Sequence, residues 1–276
     1  VTEIFVFLGG SFILATVLVN GACGRMGQAV LKAVQEADGL ELVGAVDISG
    51  GADTGTLVGF PANHVLVETD LSAALERVKP EVMVDFTRPD VVFQNVMTAL
   101  EHKVSPVVGT TGLSDAQKKE IEAAAKKLRT PAFIAPNFAI GAVLLELLSC
   151  QAAKYMPEVE IIELHHDKKL DAPSGTAVQT AEMIAKVREA HKQGHPEEKE
   201  ILKGARGADY EGMHIHSVRL PGYVAHEEVI FGGLGQTLTI RHDSMNRESF
   251  MPGVVLAAKK VRSLTGLTVG LDKLLD

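Results

Sequence analysis

Hydrophobic and polar positions follow one order from Ala15 onward: a short run of β-branched and other apolar residues, then small or polar residues, then an amphipathic stretch. Repeated βαβ units leave this pattern in a sequence. It predicts strands at Ala15–Asn20, Leu40–Val46, Val82–Asp85, Ser105–Val108 and 131–135. Helices are predicted at 26–37, where Val30, Leu31 and Val34 fall near helical spacing, and at 90–102, 114–128 and 140–154. Ser114 with Gln117 three positions on has capping-box spacing, which fixes one helix start. Parallel strands joined by helices form a doubly wound sheet whose ligands sit at the carboxyl ends of the strands.

Beyond about Phe138 the strands lengthen and alternate in polarity, at 158–166, 213–220, 225–231 and 236–242. Thr237-Leu238-Thr239-Ile240 has the alternation of a sheet with one covered face. One long helix, about 175–191, interrupts this half, and the polar stretch 193–203 reads as a loop. The pattern therefore predicts a first domain at 1–138, completed by 246–276 through a helix near 249–263, and a second α+β domain at 139–245 on an open mixed sheet.

A chain of 276 residues with 46% hydrophobic and 22% charged positions can bury a full core. Its 27 Lys and Arg against 35 Asp and Glu give −8, which excludes holding nucleic acid by bulk positive charge; any bound anion needs a local basic pocket. Cys23 and Cys150 are too few for a disulfide scaffold, lack zinc-type spacing, and read as small buried hydrophobes of a reducing compartment. The apolar run at 4–19 is short of the ~20 residues of a membrane span and has no Lys or Arg ahead of it. The reading is a cytoplasmic protein without a membrane span, with residues 1 to about 14 as an extension.

Between the first strand and helix stands Gly21-Ala22-Cys23-Gly24-Arg25-Met26-Gly27. Glycines at this spacing let the backbone turn tightly and approach a pyrophosphate, whose charge meets N–H groups at the helix start. Asp47, at the end of the second strand, is placed to accept from adenosine ribose hydroxyls. Together they predict a Rossmann-like α/β domain binding NADH or NADPH; the plainer reading is a tight turn with a surface Asp. A carboxylate at 47, followed by Ile48 and Ser49 with no adjacent Arg, repels a 2′-phosphate and favours NADH. Asp85-Phe86-Thr87-Arg88-Pro89 and Gly109-Thr110-Thr111-Gly112 end strands where a nicotinamide ribose and amide would lie, although each also suits an ordinary turn.

The densest chemistry is Glu163-Leu164-His165-His166-Asp167-Lys168-Lys169-Leu170-Asp171-Ala172-Pro173-Ser174-Gly175-Thr176. On an extended segment Glu163 and His165 share a face and His166 points to the other, so the two histidines do not chelate one metal. No metal site is predicted. Ser174-Gly175-Thr176 opens a helix, and with Lys168, Lys169, the histidines and Arg219 it makes a local basic pocket suited to a small dicarboxylate. A solvated, charged strand end is the competing reading.

The run Glu-x-His-His-x-x-Lys-x-Asp-Ala-Pro-Ser-Gly-Thr, the Gly21–Gly27 loop, Asp85-Phe86-Thr87, Gly109–Gly112 and Ala135-Pro136-Asn137-Phe138 occur in one order that closely resembles the dihydrodipicolinate reductase family, from Ala15 to the C-terminus. His216-Ser217-Val218-Arg219 and Arg241-His242 resemble its cyanobacterial or plant-like branch, while Ala139 stands where the family commonly has Ser. The resemblance implies NAD(P)H-dependent reduction of 4-hydroxy-tetrahydrodipicolinate in the diaminopimelate route to lysine. It implies His165 as acid/base, Lys169 as proton donor, and His166, Ser174, Gly175 and Thr176 as substrate contacts. It adds Ala22, Phe86, Thr87, Gly109, Thr110, Thr111, Ala135, Pro136, Asn137 and Phe138 to the loop residues and Asp47 as the cofactor set. It also implies a homotetramer assembled through the open sheet of the second domain. Another two-domain reductase, such as an amino-acid dehydrogenase, or a cofactor-sensing module that does not turn over, are the alternatives.

Overall fold

The computed structural model describes residues 15–275, so the reading of residues 1–14 as an extension lies outside the described residues. The chain runs β1 (Ala15–Asn20), α1 (Arg25–Glu36), β2 (Leu40–Val46), α2 (Thr54–Leu57), β3 (Val67–Glu68), α3 (Leu71–Val78), β4 (Val82–Asp85), α4 (Val92–Glu101), β5 (Ser105–Val108), α5 (Asp115–Leu128) and β6 (Ala132–Ile134). Next come α6 (Ile140–Ala153), β7 (Glu158–His165), α7 (Gly175–Ala185), β8 (Ala208–Tyr210), β9 (Met213–Arg219), β10 (Ala225–Gly233) and β11 (Gln236–Ser244), then α8 (Met251–Lys260) and β12 (Leu267–Val269). The described residues form two compact units, 15–138 with 250–275, and Ala139–Ser249.

In the first unit the strands lie in the order β12-β6-β5-β4-β1-β2-β3, every pairing parallel. The order reverses between β1 and β4, where an open α/β sheet binds its ligands. β4 and β5 are buried at every residue, as strands covered on both faces must be, which is why they read as apolar runs. Val92, Val96 and Leu100 of α4 pack with Ile121 and Ala125 of α5, and Ala74 and Leu75 of α3 pack on Leu18 and Met83. The Ser114 capping box forms in full: Gln117 N donates to Ser114 Oγ at 3.2 Å and Ser114 N to Gln117 Oε1 at 2.9 Å. The hydrophobic pattern assigns nothing between 53 and 80. That stretch folds through polar caps instead, Asp53 at the start of α2 and Asp70 at the start of α3, around elements too short for a periodic signal.

The second unit has the sheet β11-β10-β7-β9-β8, in which only β7 and β9 pair in parallel. Both α6 and α7 pack on one face of it, Leu145 and Ala153 with Ala177, Ala181 and Ile184 against Val159, Ile161, Ile215, Val229 and Phe231. Helix 140–154, read in sequence as part of the alternating run, thus belongs to this layer. α7 stops at Ala185 rather than near 191 because Arg188 is captured by three carbonyls, of Pro157, Glu211 and His191, at 2.5, 3.0 and 3.1 Å. β11 is an edge strand, and Leu238, predicted to face the core, is 42% exposed there; only Ile240 packs inward.

Candidate active site

Strand alternation builds the chemistry of the second unit. On its covered face, β7 presents Val159, Ile161, Glu163 and His165 in turn, so apolar rows give way to polar ones toward the end of the strand. Cross-strand pairing sets Ser217, Glu163, Glu227 and His242 in one row, and Arg219, His165, Ala225 and Ser244 in the next. Glu163 has no exposed surface. Its Oε2 lies 2.5 Å from His165 Nδ1, Arg219 donates to both oxygens at 2.8 and 2.7 Å, and Ser174 N donates at 3.2 Å. Burial alone would raise the pKa of such a group. The bonds from His165 and Arg219 outweigh it and hold the carboxyl at a pKa of about 2.

An ionised carboxylate only accepts, so Nδ1 of His165 carries the proton of that bond and Nε2 is the nitrogen left to meet a ligand. Arg219 also donates to the backbone carbonyl of Asp171 at 2.7 Å, and both Asp171 side-chain oxygens hold Lys169 Nζ at 2.8 Å. His165, Arg219 and Lys169 are therefore joined through Glu163 and Asp171, and the positive charge of Arg219 and Lys169 is partly matched in place. His166 and Lys168 are exposed just past β7. Ser174 is 2% exposed and its hydroxyl is occupied as the cap of α7, accepting from Ala177 N, which leaves Gly175 and Thr176 as the open part of that turn.

In the first unit, Gly21 takes φ +82°, and its N–H and that of Ala22 both donate to Val46 O. A Cβ on Gly21 would stand 2.4 Å from Phe86 O, and one on Gly27 1.9 Å from Gly21 O, so the loop closes only with glycine. α1 opens at Gly24 with no side-chain cap and no acidic residue in its first turn. A pyrophosphate suits such a start. Beside it lies a groove of about 490 Å³ lined by Gly21, Gly24, Asp47, Phe86 and Thr87, together with Ile48, Ser49 and Arg88. Asp47 Oδ2 accepts from Cys23 N and Oδ1 from Ser49 N, both at 3.0 Å.

The other residues of the predicted cofactor set are not among those that line this groove. Ala22, Thr110, Ala135 and Phe138 are buried, Arg25, Thr111 and Pro136 are exposed, and Met26 and Asn137 are partly buried. Gly109 lets the Phe86 ring lie against it, where a Cβ would come within 2.1 Å. That ring packs on Phe138 at 5.9 Å. Both cysteines are only partly buried, contrary to the reading as core hydrophobes; Cys23 lies in the turn after β1 and donates from Sγ to Ser49 O.

Asp85 was not singled out for a role of its own. Completely buried, it accepts from Thr87 N and Oγ1, Thr110 Oγ1, Asn20 Nδ2 and Asn95 Nδ2 at 2.7–3.1 Å. It thus ties the ends of β1, β4 and β5 into one floor. Its signal was available, since an Asp ending an apolar strand needs donors.

Among the described residues no group of three His, Cys, Asp or Glu could hold a metal ion, and no helix is long and apolar enough to cross a membrane. The family described as dihydrodipicolinate reductase, N-terminus, matches residues 15–138, and that described as dihydrodipicolinate reductase, C-terminus, matches residues 141–275. Among curated relatives, 4-hydroxy-tetrahydrodipicolinate reductase of Listeria innocua is 54% identical over 261 residues, covering 94% of this chain and 99% of its own. That of Desulfitobacterium hafniense is 50% identical over 262 residues, covering 94% and 98%. Neither organism is a cyanobacterium or a plant, so these two matches lend nothing to the branch likeness. A solved structure, dipicolinate-bound dihydrodipicolinate reductase from Paenisporosarcina sp. TG-14, is 48% identical with a TM-score of 0.86 over 94% of this chain and 98% of that one. With both halves matched in order, the chain belongs to the dihydrodipicolinate reductase family.

Proposed function

We propose that this chain reduces 4-hydroxy-tetrahydrodipicolinate with a nicotinamide nucleotide, in the diaminopimelate route to lysine. The observation that carries this is the unbroken match of both halves to reductases of that name. An amino-acid dehydrogenase sharing only the first domain, or a sensor that does not turn over, would not require the second half to match as well.

When bound, the nucleotide supplies hydride. Gly21, Gly24, Gly27 and the start of α1 would hold its pyrophosphate, Asp47 its adenosine ribose, and Phe86 and Thr87, with Gly109 and Thr110 behind them, its nicotinamide half. Ala22, Arg25, Met26, Thr111, Ala135, Pro136, Asn137 and Phe138 complete the cradle. Asp47 favours NADH, because its charge opposes a 2′-phosphate; Arg88, in the same groove, already pairs with Asp90 at 2.9 Å.

Reduction leaves the substrate electron-rich, so a proton must reach it. His165 exchanges a proton at Nε2 while Glu163 fixes Nδ1, and Lys169, oriented by Asp171, donates from Nζ. His166, Gly175 and Thr176 meet the carboxylates, and Ser174 sets the helix turn that carries the last two. A homotetramer formed through the open sheet, acting in the cytoplasm, completes the reading; the exposed start of β11 supports such an interface. The test is a rate measurement with NADH and NADPH on the dipicolinate-type substrate and on amino acids: turnover restricted to the former supports the assignment, and sedimentation velocity decides the tetramer.

A further inference from the structure

Glu227 stands on β10 directly opposite Glu163 of β7 and His242 of β11. Alternation puts it on the covered face with Val229 and Phe231, under α7. It is 6% exposed, and its Oε1 has no hydrogen-bond partner. The groups around it are few. From α7 comes Thr180, whose buried hydroxyl faces the Glu227 carboxyl without reaching full hydrogen-bond geometry and favours its ionised form. On β7 there is Glu163, committed to His165 and Arg219. On β11 there is His242, which burial keeps toward its neutral form and which packs against Gly141 of α6. α6 adds the buried Glu146, engaged by Gln179 of α7. His226 and Glu228, the neighbours on β10, point to the opposite face, where they meet Asp243 and Arg241. Among the described residues none of these groups sets a cation between the two opposed carboxyls, whose Cβ atoms stand about 5 Å apart in such a pair.

We propose that Glu227 is a positioning residue for the reduction: in its protonated form it lets Glu163 keep its grip on His165 and Arg219, and its ionisation breaks that arrangement. Two carboxylates opposed across adjacent strands in a buried layer repel strongly, and that repulsion bears on the carboxylate whose oxygens hold His165 and Arg219. Burial and the Glu163 charge push the Glu227 carboxyl up to about 7, so the change falls near neutral pH. The inference rests on the proposed reductase activity.

The experiment compares kcat/KM from pH 6 to 8 for wild type, Glu227→Gln and Thr180→Val, with the protonated-carboxyl band of wild type and Glu227→Gln followed by infrared over the same range. Glu227→Gln fixes the neutral shape, so the wild-type to variant ratio should fall about tenfold by pH 8, and the band, present only in wild type, should vanish with a midpoint near 7. Removing the Thr180 hydroxyl, which lowers the pKa of Glu227, should move the fall to higher pH. A ratio that is flat with pH, or a band that does not change between pH 6 and 8, overturns the proposal. Absence of any reduction by wild type would sink the reductase reading instead, and the infrared titration would still decide the state of Glu227.

Discussion

His165 and Arg219 stand opposite each other in the parallel pairing of β7 with β9, and both donate to the same oxygen, Oε2 of Glu163, at 2.5 and 2.8 Å. One buried carboxylate thus fixes the imidazole and neutralises the guanidinium beside it. Removing it would leave a partly buried cation without its carboxylate and the ring free to turn.

Glu163→Gln should lower kcat by about 100-fold, the scale of a lost acid/base orientation, with nucleotide affinity unchanged. Steady-state kinetics together with a fluorescence titration of NADH check this. A kcat within threefold of wild type would remove Glu163 from the account.

The same carboxylate shapes acid stability. Its folded pKa, about 2, lies below the ordinary 4.5, so its contribution is complete above about pH 4.5 and is lost as pH falls toward 2. Tm measured from pH 6 to 2 should fall more steeply for wild type than for Glu163→Gln below pH 4.5. Parallel curves would contradict the linkage.

Asp85→Asn presents an amide to a pocket of donors arranged for a carboxylate. A loss of about 2–3 kcal/mol is expected, the scale of an unsatisfied buried polar group next to charge-assisted bonds. Urea unfolding measures it, and an unchanged midpoint would show that the five bonds contribute nothing net.

Asp47→Asn removes the charge that opposes a 2′-phosphate while keeping an acceptor for one loop N–H. The ratio of kcat/KM for NADH over NADPH should fall about tenfold, equivalent to about 1.4 kcal/mol. An unaltered ratio would place cofactor choice elsewhere in the groove.

Much of this was legible in the chain. The bounds of β1, β2, β4 and β5 follow from runs of Val, Leu and Met ending in Asn, Asp or Gly, and the Gly21–Gly27 turn announces its role because only glycine tolerates those approaches. The alternation that puts Glu163 and His165 on one face was likewise readable. What local pattern cannot carry is pairing between distant strands: that Arg219 and Glu227 flank Glu163 depends on the sheet order β10-β7-β9. The same holds for Asp85, whose donors come from residues 20, 87, 95 and 110. Arg188 ended α7 through carbonyls at 157, 191 and 211, again out of reach of a helical window.

The most direct test is the rate of NADH oxidation on adding 4-hydroxy-tetrahydrodipicolinate to the purified chain and to Lys169→Ala. Oxidation that depends on the substrate in wild type and drops about 100-fold or more in Lys169→Ala, with NADH still bound, is the predicted result. No substrate-dependent oxidation in wild type, or equal rates in the two proteins, would contradict it.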